Sequence, residues 1–109
     1  MTAAIQAARE TIGSFFAAFE DPQPSQTGFL LKIRYVEGDR SEHIWLADLD
    51  FTTMPATGTV ANETTFPGLT YMQRGSFEPD QITDWMYFDK DKLVGGYTTR
   101  LLVRRSQPQ

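Results

Sequence analysis

The chain has 109 residues, a net charge of −4 and a pI near 4.8, with 40% hydrophobic and 13% aromatic residues. It has no cysteine, which excludes disulfides, thiolate metal sites and a Cys nucleophile. It lacks the basic footprint that nucleic acid or an anionic membrane usually requires, and no apolar run approaches the ~20 residues of a membrane span. Arg104 and Arg105 form the one adjacent basic pair, near the C-terminus, where solvated charge is the simplest reading. The first residues lack a basic start and a small-residue cleavage site, so a cytoplasmic protein is expected. One domain of this size buries roughly two-thirds of its unfolded surface, and its eight Phe predict a ring-rich core.

Residues 2–20 have helical period. Ile5, Ala8, Ile12, Phe15, Phe16 and Phe19 recur at spacings of three and four and form one apolar stripe. Gln6, Arg9, Glu10 and Ser14 take the other side. With a single Arg the polar face is not cationic, so the stripe predicts a core-facing helix rather than a membrane-surface one. Asp21-Pro22 ends it, because Pro disfavours helical geometry in the residue before it. Residues 21–28 read as a loop.

Residues 29–37 alternate, Leu31, Ile33 and Tyr35 against Lys32 and Arg34, and predict a strand. A turn at 38–41 leads to a second strand over 42–52, which completes an antiparallel hairpin. Strict alternation there puts His43, Trp45, Ala47, Leu49 and Phe51 on one face, and Ile44, Leu46, Asp48 and Asp50 on the other. Short strands follow at 58–62 and 71–78, the latter interrupted near Gly75. Turns fall at Pro67-Gly68 and Pro79-Asp80. Residues 85–88 form a strand, 89–92 its hairpin turn, and Leu93-Val94 the partner. Residues 97–105 fit a short helix or a strand.

Four phrases together resemble the YegJ-like family of uncharacterised bacterial domains: Glu42-His43-Ile44-Trp45-Leu46, Gly58-Thr59-Val60-Ala61-Asn62, Ile82-Thr83-Asp84-Trp85-Met86-Tyr87 and Gly95-Gly96-Tyr97-Thr98-Thr99-Arg100. The resemblance covers residues 29–102. It implies a small α+β bacterial domain, and it implies no reaction and no catalytic residue.

The residues themselves leave several readings open. His43 is the one histidine, suited to a general base near neutral pH but more often a structural hydrogen-bonding group. Asp48 and Asp50 sit two apart on a strand. With Asp84 they form a candidate oxygen site for Mg²⁺ or Ca²⁺, against the plainer reading of solvated strand ends. Asp84 lies where a turn becomes a strand, a place where Asp often caps backbone N–H groups. The functional alternative is a pocket shared by His43, Trp45, Asp84 and Trp85. Gly95-Gly96 lacks the spacing of known phosphate loops. If the next residues are helical, the amides of Tyr97 and Thr98 and the side chain of Arg100 form a candidate anion site. No serine sits in a nucleophile elbow.

The expected object is a single α+β domain. Its N-terminal amphipathic helix packs on a bent, mostly antiparallel sheet of five or six strands, with partial closure into a barrel as a possibility. The expected role is a non-enzymatic module that binds a protein partner or small ligand through His43, Trp45, Asp84, Trp85, Tyr97 and Arg100, without cofactor, nucleic acid or membrane. The alternatives are a small hydrolase or transferase using His43 and Asp84, and an anion- or nucleotide-binding domain at residues 95–100.

Overall fold

The computed structural model describes residues 2–98, Thr2 by its backbone alone. Helix α1 spans Thr2–Glu20. Six strands follow: β1 Gln26–Glu37, β2 Arg40–Asp50, β3 Ala56–Val60, β4 Arg74–Phe77, β5 Ile82–Asp89 and β6 Lys92–Gly95. A 3-10 turn at Pro79–Gln81 stands where a simple turn was expected. The strands form one sheet in the order β4-β3-β2-β1-β5-β6, every neighbouring pair antiparallel. The chain walks outward from β1 to β4, then returns to lay β5 against the open side of β1. Among the described residues the sheet ends in two edges, β4 and β6, so it is open rather than partly closed into a barrel. The loop expected over 21–28 is shorter, since β1 begins at Gln26, and β4 is continuous through Gly75.

The apolar stripe of α1 lies on one face of the sheet. Ala8 and Phe15 are buried against Leu31, Ile33, Ile44, Leu46, Val60, Phe77 and Trp85. Rings dominate the seam. Phe15 stacks on Phe19 and meets Phe16, Phe29 and Trp85, while Phe29 stacks on Tyr87. Burying a large aromatic side chain contributes about 2–3 kcal/mol, so this face supplies most of the apolar driving force. A buried polar bond pins helix to sheet: the indole Nε1 of Trp85 donates to the carbonyl of Ala8 at 3.0 Å.

Three irregularities decide which side chains face away from the helix. In β1, Thr27 and Leu30 pair with Phe88 and Met86, three residues against two, and the extra residue is accommodated at Gly28 with φ 67°. In β2, Ala47 and Asp50 pair with Thr59 and Thr57, again three against two. Asp48 takes up that surplus with φ 45°, a left-handed conformation that Asp adopts more readily than most residues. Strict alternation therefore fails at Asp48. His43 and Trp45 face away from the helix, whereas Phe51 has crossed to the helix side, where it meets Phe16, Phe19 and Phe77. In β5, Lys32 and Ile33 pair with Asp84 and Ile82, so Thr83 is the extra residue. That bulge lets consecutive side chains, Thr83 and Asp84, both serve the face opposite α1.

Candidate functional site

The site is a polar network on the sheet face opposite α1, built on the central strands. Lys32 of β1 lies across from Trp45 of β2 on one side and Asp84 of β5 on the other. Asp84 is fully buried. Its Oδ1 accepts the amides of Trp85 at 2.8 Å and Tyr97 at 3.2 Å, and its Oδ2 accepts the amide of Thr98 at 2.9 Å and the Thr98 hydroxyl at 2.6 Å. A carboxylate so ringed by donors is fixed in place. The Lys32 ammonium donates to Thr98 Oγ1 at 2.8 Å and lies 5.2 Å from the centre of the Trp45 ring. Thr98 thus stands between the two charges, accepting from Lys32 and donating to Asp84. Burial pulls the Lys32 pKa below its ordinary 10.5, and the Asp84 charge opposes that fall.

The turn that delivers these amides depends on glycine. Gly95 has φ 81°, and a Cβ there would come within 2.5 Å of the Trp85 ring and its carbonyl. The amide of Gly96 donates to that same carbonyl at 2.7 Å. The chain after β6 therefore folds tightly over Trp85, and Tyr97 and Thr98 enter helical geometry with their amides aimed at Asp84.

His43 and Thr83 flank the network. The Thr83 hydroxyl donates to the Lys32 carbonyl at 3.3 Å, so its oxygen accepts from Nδ1–H of His43 at 3.0 Å. Nε2 is then the acceptor of the ring. Burial first, then the Lys32 and Arg34 charges, hold the His43 pKa below 6.5, so the ring is neutral at physiological pH. Trp45 is half-buried. Its amide donates to Asn62 Oδ1 at 2.8 Å and its carbonyl accepts from Ala61 at 2.8 Å, so the backbone beneath the ring is bonded on both sides.

These positions revise several expectations. Trp45 and Trp85 do not share a pocket: Trp85 is buried on the helix face, and Tyr97 packs edge-on against it at 5.9 Å. His43 and Asp84 do not pair, since His43 is committed to Thr83, and Asp84 to Trp85, Tyr97 and Thr98. Asp48 and Asp50 do not join Asp84. Asp48 is exposed in its bulge, while Asp50 accepts the Thr52 hydroxyl and amide, which lower its pKa. Among the described residues no three His, Asp or Glu side chains gather to hold a metal ion. The amides of Tyr97 and Thr98 do bind an anion, but it is the chain's own Asp84. Arg100, and residues 99–105 of the expected C-terminal element, lie outside the described residues. Lys32 and the Thr98 hydroxyl, central to the network, have no role in the sequence reading, which uses only the Thr98 amide. The available signal was a lysine in the middle of an alternating strand flanked by apolar neighbours.

Fold and site together define a small α+β domain with a one-sided aromatic core and a fixed ionic network on the opposite sheet face. No helix among the described residues is long and apolar enough to cross a membrane. The chain belongs to the bacterial family described as an uncharacterised protein conserved in bacteria (DUF2314), whose profile matches residues 1–109. It is 30% identical over 102 residues to the uncharacterised protein YegJ of Escherichia coli (strain K12). That alignment covers 90% of this chain and 63% of the relative, so the chain spans less than two-thirds of the relative's length. No solved structure matches.

Proposed function

We propose that this domain is a non-enzymatic protein-interaction module, working in the bacterial cytoplasm, that docks its partner on the sheet face opposite α1 with Trp45 as the anchor. The observation that carries this reading is the preparation of Trp45. Its ring stands half-buried beside the Lys32 ammonium, and its backbone is fixed by Asn62 and Ala61. Tryptophans held in one orientation lose little conformational freedom on binding and are over-represented among the residues that dominate interface energies. Asp84 supports the reading from beneath. With its oxygens taken by amides and Thr98, it orders Lys32 and through it the ring, rather than offering a base. A cysteine-free chain needs no oxidising compartment, which supports the cytoplasmic setting.

The test is affinity isolation from the source bacterium with the wild-type chain and with Trp45→Ala. A captured protein is then purified and its affinity measured by calorimetry. Loss of about 2 kcal/mol or more of binding in Trp45→Ala, with the far-UV spectrum unchanged, is the expected result for a hot-spot anchor. Equal affinity of both chains for the same purified partner removes this face from the interface.

A further inference from the structure

A second site lies beyond the Trp45 face, where β1 outruns β5. Pairing of β1 with β5 stops at Ile33 opposite Ile82, yet pairing with β2 continues to Glu37. The step leaves a hollow of about 340 Å³ lined by Arg9, Arg34, Val36, Asp80 and Gln81. Arg9 reaches it from α1 and is tethered there: Nε donates to the carbonyl of Ile82 at 3.1 Å and Nη2 to that of Asp80 at 3.3 Å. Gln81 closes the floor. Its Nε2 donates to the carbonyl of Arg34 at 3.1 Å, and its Oε1 accepts the amide of Glu78 at 2.7 Å.

Among the described residues neither guanidinium lining this hollow has a carboxylate partner. Among the described residues the one ion pair is Arg40 with Glu42, elsewhere on the sheet. Arg9 spends two donors on backbone carbonyls, and among the described residues the rest of its fork is unspent. Asp80 adds one negative charge to the wall, so two arginines against one aspartate leave it with a net charge of +1 in a chain whose total is −4. Val36, 55% exposed, is the apolar surface beside them.

We propose that this hollow binds a carboxylate carried next to an apolar group. A planar guanidinium fork matches the two oxygens of a carboxylate, and two such forks hold it in one orientation. A wall with a single net positive charge suits a monoanion better than a phosphate dianion. Val36 takes the apolar substituent. The carboxylate comes either from a small organic acid or from a polypeptide C-terminus, and its chemistry at the arginines is the same in both cases.

The experiment is a titration of the ¹⁵N-labelled full chain followed by NMR, with N-acetyl-leucine, leucinamide, the tripeptide Ala-Ala-Leu and inorganic phosphate as probes. Saturable shifts at Arg9, Arg34 and Val36 with N-acetyl-leucine or the tripeptide, and none with leucinamide, are expected. Whichever of the two carboxylates binds tighter identifies the source. Arg34→Met, at an exposed position, should weaken binding about 10-fold or more, while Arg34→Lys should lose less. Three results each overturn the proposal: no saturable shift with either carboxylate up to roughly 10 mM, unchanged affinity in Arg34→Met, or phosphate binding as tightly as the carboxylates.

Discussion

The two tryptophans sit on opposite faces of one sheet and do opposite things. Trp85 is 2% exposed, wedged among Phe15, Tyr87 and Tyr97, with its indole N–H spent on Ala8. Trp45 is half-buried on the polar face, with a lysine beside its ring and its backbone tied at both ends. The first ring is consumed by the fold, whereas the second is held in place and still presents surface. Residue type and sequence spacing treat them alike. What separates them is strand parity and the bulge at Thr83, which sends Trp85 toward α1 and Asp84 the other way.

The contrast breaks most sharply at Asp84, because its carboxylate serves both faces: it fixes the chain that covers Trp85 and it orders Lys32 beneath Trp45. Asp84→Ala strands buried amides of Trp85, Tyr97 and Thr98 and leaves Lys32 without its counter-charge. The expected loss is about 3–5 kcal/mol, a large part of the stability of a domain this size. Urea unfolding measures it, and a loss under about 1 kcal/mol would show that the network is incidental. Combining Asp84→Asn with Lys32→Met should cost less than Asp84→Ala alone, since removing both charges avoids a buried unpaired ammonium.

The tryptophans themselves sharpen it next. Trp85→Phe removes the bond to Ala8 and leaves a void against Phe15, so about 2–3 kcal/mol is expected. Trp45→Phe keeps an aromatic face for Lys32 on a half-open surface and should cost under about 1 kcal/mol. Equal losses in thermal or urea unfolding would mean that both rings are core, and would remove the physical basis for calling Trp45 an anchor.

Much of the helix face was legible in the sequence. The stripe from Ile5 to Phe19 gave α1 its bounds and its buried side, and the alternation of Leu31 and Ile33 against Lys32 gave β1 its inner face. The polar face was legible in part. For Asp84 the sequence offers a backbone cap beside a binding pocket, and the carboxylate accepts three backbone amides from a position inside β5 rather than at its start. Beyond the adjacent Trp85 amide, its partners Tyr97 and Thr98 lie 13 and 14 residues on, farther than local pattern can join, and the Gly95-Gly96 turn reads as an anion site without its anion. The crossing of Phe51 was hidden for a different reason. A bulge at a non-glycine residue such as Asp48 leaves no compositional mark, and one extra residue reverses every side chain after it.

Acid sharpens the polar face alone. His43 has its pKa lowered below 6.5 by burial and by the Lys32 and Arg34 charges, so the folded state disfavours its protonated form. The sign follows from linkage: above 6.5 the ring is neutral in both states and nothing is lost. As pH falls through 6.5 and then through the lower folded value, the unfolded chain takes up the proton first and stability declines. Lys32 has the same sign in the alkaline range, with stability rising as pH climbs from its lowered value toward 10.5. His43→Gln should remove the acid-side decline specific to this window. A wild-type and variant pair that lose stability in parallel between neutral and mildly acidic pH would place the decline elsewhere.

The smallest expected effect tests the device that sets the parity of β2. Asp48 holds φ 45° with its side chain exposed, so its role is conformational rather than chemical. Asp48→Gly should leave stability within about 0.5 kcal/mol, because glycine enters this region freely and the gain there offsets its larger entropy loss on folding. Asp48→Val should cost about 1–2 kcal/mol, since a β-branched residue meets the full left-handed penalty. The bulge also has a readout independent of stability. If Val were to force regular alternation, Phe51 would leave Phe16, Phe19 and Phe77 for the opposite face, and the ring-current shifts among those phenylalanines would change together. Destabilisation with those shifts intact means that the aromatic cluster, not the residue at 48, enforces the extra residue, and that α1 dictates the parity of the strand beneath it.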